Sequence, residues 1–320
     1  YWEEISHMKP ANYSRFFSSS ILRCLLIGSS IAYLLLCILP GYGVAFSDEQ
    51  ASPKRIIVFP LYAEEILVDL AGTDRIVYVG HQQIEDESYS PIIKYVSHIP
   101  GANWQNSDEC ELLQLDPDLI VLDKDLMSDY VEIFPALSQR AEFLFVDEPE
   151  SIDEIKSLIM QIGDAVGERE RAHEMVLILE SALEDIARLV DNEHISKRNA
   201  AYVGEYCPLW DDVIDAVGIA PLSCEHMCLF DNIEVLADWN PDIILFSPYA
   251  FDTDGSLLYF GQEYVREVAS LISNNPMLTT ISAVQDRNLY PLSIHSSHYV
   301  VNSIRDLLRY MDNSFPELDQ

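Results

Sequence analysis

The feature that most limits what this chain can fold into is a pattern that occurs twice. In the first half, the β-branched run Arg55-Ile-Ile-Val-Phe59 stops at Pro60 and is followed by the helix-like Ala63-Glu-Glu-Ile-Leu-Val-Asp-Leu-Ala-Gly72. A second run, Arg75-Ile-Val-Tyr-Val79, comes next, then a helical turn at Glu111–Leu115 and the segment Asp116-Pro-Asp-Leu-Ile-Val-Leu122. A short apolar run bounded by turn residues reads as a strand buried on both faces, and a glycine just past a periodic segment reads as a helix stop. The second half repeats the order with Ala200–Val203, Trp210–Gly218, Ile233–Ala237 and Asn240-Pro-Asp-Ile-Ile-Leu245. Setting Pro117 on Pro241 superposes Asp118 on Asp242 and Leu119 on Ile243; setting Glu65 on Asp212 superposes Ile66 on Val213 and Leu67 on Ile214. This repeat predicts an α/β fold of two similar lobes, each built on a parallel-type central sheet.

Between the halves, Ser151 to Ile195 carries no strand signal. Ser151 and Glu154 fit a capping box. From Glu168 onward, Ala172, Met175, Val176, Leu179, Leu183, Ile186 and Leu189-Val190 recur at helical spacing among charged residues. Glu168 to Asn192 corresponds to a rod of about 37 Å at about 1.5 Å per residue. Lobes joined by one long helix, without a Gly/Ser linker, are not expected to undergo large hinge closure. The expected boundaries are 1–45 for an N-terminal extension and signal peptide, 46–150 for the first lobe, 151–197 for a connecting helical region and 198–320 for the second lobe.

The expectation of a signal peptide starts at Met8. Lys9, Arg15 and Arg23 form a basic flank, Ile21–Leu39 is largely apolar, and Gly43-Val44-Ala45 offers small residues before a cut after Ala45. The clean apolar stretch Leu34–Leu39 is far shorter than the roughly 20 residues of a membrane span. Export to the periplasm is therefore expected. The formal charge of -34 and the lack of any basic run disfavour nucleic acid and anionic membrane surfaces as partners. Cys110, Cys207, Cys224 and Cys228 would remain after processing. In an exported protein, pairing within the Cys207, Cys224, Cys228 group is expected.

The ordered motifs resemble the helical-backbone solute-binding proteins of ABC importers, which serve iron-siderophore, haem and cobalamin uptake. The resemblance covers residues 53–311. It is carried by Ala63-Glu-Glu-Ile-Leu, Gly72-x-Asp74-Arg75-Ile-Val-x-Val-Gly80, Leu115-Asp-Pro-Asp-Leu-Ile-Val, Gly163-x-x-x-Gly167-x-x-x-x-Ala172, Asn240-Pro-Asp-Ile-Ile, Asn275-Pro-Met and Ala283-Val-Gln-Asp-Arg-Asn-Leu-Tyr290. Cys110 departs from it, standing where such proteins usually have a Glu. The resemblance implies a monomeric binding protein that captures an iron complex or related metal chelate between its lobes and delivers it to an ABC permease. Cobalamin or another corrinoid, haem and molybdate are the alternative ligands. It also implies that an acidic residue on each lobe's outer rim docks on the permease, which nominates Glu65 and Asp212, with Glu64 or Asp211 as substitutes.

In parallel α/β lobes, ligands sit beyond the carboxyl ends of the strands. That rule nominates Tyr62, His81, Tyr206, Trp210, Tyr249, Phe251, His295 and His298, aromatic and imidazole groups suited to a bulky planar ligand. His295 and His298, three residues apart, could face a metal or haem iron; alternatively Ser296 or Ser297 caps a helix through Val300, Ile304 and Leu308. No resident metal or cofactor is expected. An enzyme on the same scaffold is the alternative class, but no Gly-rich phosphate loop, Gly-x-Ser-x-Gly elbow or His-Glu-x-x-His motif supports one.

Overall fold

Each half of the repeat builds its own parallel sheet. The structure, a computed structural model, describes residues 52–80, 90–128, 130–192, 198–203, 208–222, 233–251 and 257–311. The chain divides into residues 1–50 and a compact unit of residues 51–320. The expected signal segment lies outside the described residues.

The first half runs β1 (Ile56–Val58), α1 (Leu61–Ala71), β2 (Ile76–Val79), α2 (Ile93–Val96), α3 (Glu109–Gln114), β3 (Leu119–Asp123), α4 (Tyr130–Ile133) and β4 (Glu142–Val146). Two helices follow, α5 (Ile152–Val166) and α6 (Arg169–Asn192). The second half runs β5 (Asn199–Val203), α7 (Leu209–Asp215), β6 (Ala220–Leu222), α8 (Ile233–Trp239) and β7 (Ile243–Phe246). It continues with β8 (Tyr249–Phe251), β9 (Leu257–Phe260), α9 (Gly261–Asn274), α10 (Ser282–Gln285), β10 (Leu289–Pro291) and α11 (Val300–Met311). The strand orders are β2-β1-β3-β4 and β10-β7-β5-β6, with parallel pairing throughout both sheets. A small antiparallel pair, β8 with β9, stands apart from them.

The two Pro-Asp repeats have a shared structural cause. Asp116 and Asn240, just before the prolines, adopt left-handed φ values of 47° and 46°, which Asp and Asn tolerate better than most residues. That turn aims the next aspartate at the strand beside it. Asp118 Oδ2 accepts from the backbone N–H of Lys54 at 2.8 Å and Arg55 at 3.1 Å, ahead of β1. Asp242 Oδ2 accepts from Asn199 N at 3.0 Å, at the start of β5. In each lobe the motif fixes where the central strand enters the sheet.

Alternation along the strands divides the core. Ile57, Ile120 and Leu122 face a cluster with Phe59, Leu112 and Phe134 on one side of the first sheet. Ala201, Val203, Ile244 and Phe246 face another with Ile272 and Leu278 in the second. The opposite faces of both sheets share one continuous cluster. It runs from Ile56, Val58, Ile66 and Leu70 through Ile155, Ile159, Ala172, Leu179 and Ile186 to Tyr202, Trp210, Val213, Ile304 and Leu308. The connecting helices are thus part of the core that both lobes use.

The corner between α5 and α6 is tight. Ser151 Oγ accepts from Glu154 N at 3.2 Å, the first arm of the expected capping box, while Glu154 Oε2 accepts from Glu150 N at 2.8 Å, one residue ahead of the cap. Gly167 closes α5 with φ 74°. A Cβ on Gly163 would stand 2.3 Å from the Ala172 side chain, so the glycine allows the two helices to touch. Arg75 grips the same corner: it donates to Val166 O at 2.7 Å and to Pro53 O at 2.9 Å, and pairs with Glu168 at 2.9 Å.

Candidate functional site

Parallel strands leave their loops and the N-termini of the following helices at the carboxyl edge of the sheet, which is where such lobes receive ligands. In the first lobe that edge holds an open groove of about 550 Å³ beyond β3 and β4. Val146, Pro149 and Leu158 supply its apolar surface, and Asp123, Asp125, Asp147, Glu148, Glu150 and Glu154 its charge. Lys124 is the cation among the lining residues, and its Nζ lies 2.7 Å from Asp147 Oδ2. That hydrogen bond, with the charge of Asp147, raises the lysine's pKa. The groove is therefore strongly negative, and its apolar lining residues are themselves buried.

Tyr62 stands behind the groove. Its ring is 8% exposed, and its hydroxyl donates to Asp123 Oδ1 at 2.5 Å. Burial, then the charge of Asp123 and the hydrogen bond to it, push the phenol's pKa far above its ordinary value, so it remains a donor. Tyr62 acts on the groove by holding Asp123.

The two predicted histidines lie on the seam between α1 and the segment before α11. His298 Nε2 is 2.7 Å from Asp69 Oδ2, and Tyr299 donates its hydroxyl to the same oxygen at 2.8 Å. His295 Nδ1 is 3.7 Å from Glu65 Oε1. The structure brings these histidines onto α1 rather than onto each other, and among the described residues no group of three or more His, Cys, Asp or Glu is arranged to hold a metal ion. Ser297 Oγ accepts from Tyr299 N at 3.3 Å just ahead of α11, and both serine hydroxyls donate across the seam, Ser297 to Glu65 and Ser296 to Glu148 Oε1 at 2.9 Å on the groove's edge.

Two expectations are corrected by position, those for Glu65 and Trp210. Glu65 is not an outer-rim carboxylate: it is 1% exposed, and its two oxygens accept from Ser90 and Ser297 hydroxyls. Asp212 is half-buried, and one of its oxygens accepts from Ile152 N at 2.9 Å, at the start of α5. Trp210 is 5% exposed and stacks on Tyr202 with ring centres 3.4 Å apart; the shared core takes the ring that the sequence assigned to the cleft. Of the substitutes, Glu64 is also buried, whereas Asp211 is half-buried. Tyr249 and Phe251 open and close β8, just beyond the carboxyl end of β7. His81 and Tyr206 lie outside the described residues. Cys110 is disulfide-bonded, and the expected pairing among Cys207, Cys224 and Cys228 falls outside the described residues. The groove carboxylates went unnoticed in the sequence because β4 did; an acidic run, Asp147-Glu-Pro-Glu150, directly after Phe143–Val146 was the available signal.

Solved structures share this architecture at low identity. A periplasmic binding protein from Veillonella parvula superposes with a TM-score of 0.66 at 16% identity, covering 82% of this chain and 92% of its own. A possible iron-binding (periplasmic solute-binding) protein from Staphylococcus epidermidis gives 0.62 at 18%, covering 81% and 99%. A periplasmic heme binding protein from Pseudomonas aeruginosa gives 0.59 at 16%, covering 82% and 94%. Among curated proteins none matches the chain. The family described as Periplasmic binding protein matches residues 62–293, well over half of the sequence. With the two parallel lobes in place, the chain belongs to the periplasmic binding protein family, whose members are exported, bind small solutes, work with ABC permeases and are not enzymes.

Proposed function

We propose that this protein captures an iron complex or a related metal chelate of neutral or positive net charge and hands it to an ABC permease. The observation that carries the reading is the groove beyond β3 and β4, which lies within the size range of about 300–1,000 Å³ typical of small-molecule sites. Its carboxylates, in a chain of formal charge -34, steer cations inward and repel anions. Tyr249 and Phe251, on the strand after β7, are the aromatic positions of the second lobe retained in this reading.

Cobalamin fits the same reasoning as a bulky ligand without a large negative charge. Haem is the second reading, favoured by the Pseudomonas aeruginosa heme binding protein of similar fold. The carboxylate rim works against it, because haem brings propionates to a negative edge. Molybdate is disfavoured for the same reason.

Calorimetric titration of the purified protein with neutral and cationic ferric siderophores, cobalamin, haemin and molybdate tests the proposal. Binding of a neutral or cationic chelate that weakens on Glu148→Gln or Asp125→Asn is the expected result. Preferred binding of molybdate or haemin would overturn the charge class, and turnover of any ligand would overturn the binding role.

A further inference from the structure

The seam between the lobes is apolar over most of its area, yet α1 brings two carboxylates to it one helical turn apart, Glu65 buried and Asp69 at its partly exposed edge. Glu65 and Asp69 each hold the segment that precedes α11. Glu65 sits between Ser90 of its own lobe and Ser297 of the other, with His295 Nδ1 3.7 Å away. Asp69 receives His298 and Tyr299 on a single oxygen, at 2.7 and 2.8 Å. A third bond, from Ser296 to Glu148, extends the row onto the groove's edge. Four consecutive residues, Ser296 to Tyr299, therefore place every side chain on the first lobe.

A fully buried carboxylate is a poor way to gain stability, because desolvation offsets most of what its partners return. In some proteins such groups serve to fix one arrangement among several. Apolar surfaces slide without a strong preference for register, whereas paired hydroxyls and carboxylates fit in one position. His298 adds a second clue. Its Nε2 faces Asp69 while its buried Nδ1 has no hydrogen-bond partner among the described residues. An unmatched buried nitrogen weakens the closed arrangement.

The geometry points to a releasable latch: Glu65 and Asp69 of α1 clasp Ser297, His298 and Tyr299, and set how the second lobe seats on the first. Because Ser296 bonds a residue that lines the groove, a ligand that takes Glu148 competes with the latch directly. Site and seam thus share one edge. The inference rests on contacts within the described residues and holds whatever the ligand is.

Hydrogen exchange read by mass spectrometry on the full chain tests it, using Asp69→Asn and His298→Ala singly and together. Asp69→Asn should speed exchange about tenfold in α1 and in residues 292–301 at once, leaving α9 unchanged. The double variant should differ little from Asp69→Asn alone, since that change already breaks the His298 contact. Faster exchange confined to the mutated element, additive effects, or equal acceleration in α9 would each overturn the latch. Tyr299→Phe, which removes one hydroxyl and preserves the ring, serves if the carboxylate variant fails to fold. It should give a smaller acceleration, about threefold, in the same two segments, and an unchanged α1 would count against the proposal.

Discussion

Burial alone would raise the Asp69 carboxyl, but hydrogen bonds from His298 and Tyr299, with the charges of His298 and Arg171, outweigh it and hold the group below its ordinary value. A carboxylate depressed in the folded state stabilises the fold fully above its unfolded pKa of about 3.9 and loses that contribution as pH falls through the lower folded value. Asp69→Asn should therefore flatten the acid limb of the stability curve, measured as denaturant midpoint against pH; an unchanged acid limb would show that the pair is not formed in solution. Tyr62→Phe deletes the hydroxyl that holds Asp123, a bond to a charged group, and should cost about 1.5–3 kcal/mol in equilibrium unfolding. Trp210→Ala separates two roles for one ring. A core role predicts a loss of about 3–5 kcal/mol with ligand affinity kept, whereas a cleft role predicts lost affinity at little cost in stability. At this scale the sequence showed residue types and hid their neighbours. Glu65 looks like any acid in the first turns of a helix, and nothing local announces that Ser297, 232 positions away, will bury it.

Elements were legible where burial is two-sided. The central strands β1, β3 and β7 are continuous apolar runs because helices cover both faces, and their repeat exposed the two lobes. The edge strand β2 was legible as Ile76–Val79, but the edge strands β4 and β6 escaped. In β4, Glu142-Phe-Leu-Phe-Val146, only Val146 is fully buried, so neither a solid run nor a clean alternation appears. In β6 a proline sits in the middle of Ala220-Pro-Leu222, which an edge tolerates and a sequence reading penalises. Missing β4 meant missing the groove that follows it. Helix contacts make a sharper test. Gly163→Ala would set two Cβ atoms 2.3 Å apart unless α5 and α6 separate. The expected cost is about 1–3 kcal/mol by thermal or chemical unfolding, although alanine is the better helix former. A neutral or stabilising result would mean that the helices part easily. Asp212→Ala removes the side chain that accepts from the first amide of α5 and should cost about 1 kcal/mol.

At the scale of the molecule, chain length favours separable domains. Cores rarely grow beyond about 250–300 residues before splitting, and two sheets built on a repeat look like two such units. The packing argues for coupling. Both sheets spend one face on the same apolar cluster, and α5 and α6 lie inside it, so neither lobe can unfold without exposing surface that the other has buried. A stiff connecting helix was visible from periodicity; its incorporation into a shared core was not, because periodicity marks an apolar stripe without naming what covers it. Scanning calorimetry should therefore give one transition whose calorimetric and van't Hoff enthalpies agree. The stricter test uses Phe246→Ala, in the second lobe's outer cluster and outside the shared core. Coupled lobes move the entire transition to lower temperature together. Independent lobes would leave a first-lobe component at the original midpoint, and that split would show that the seam, latch included, is too weak to join them.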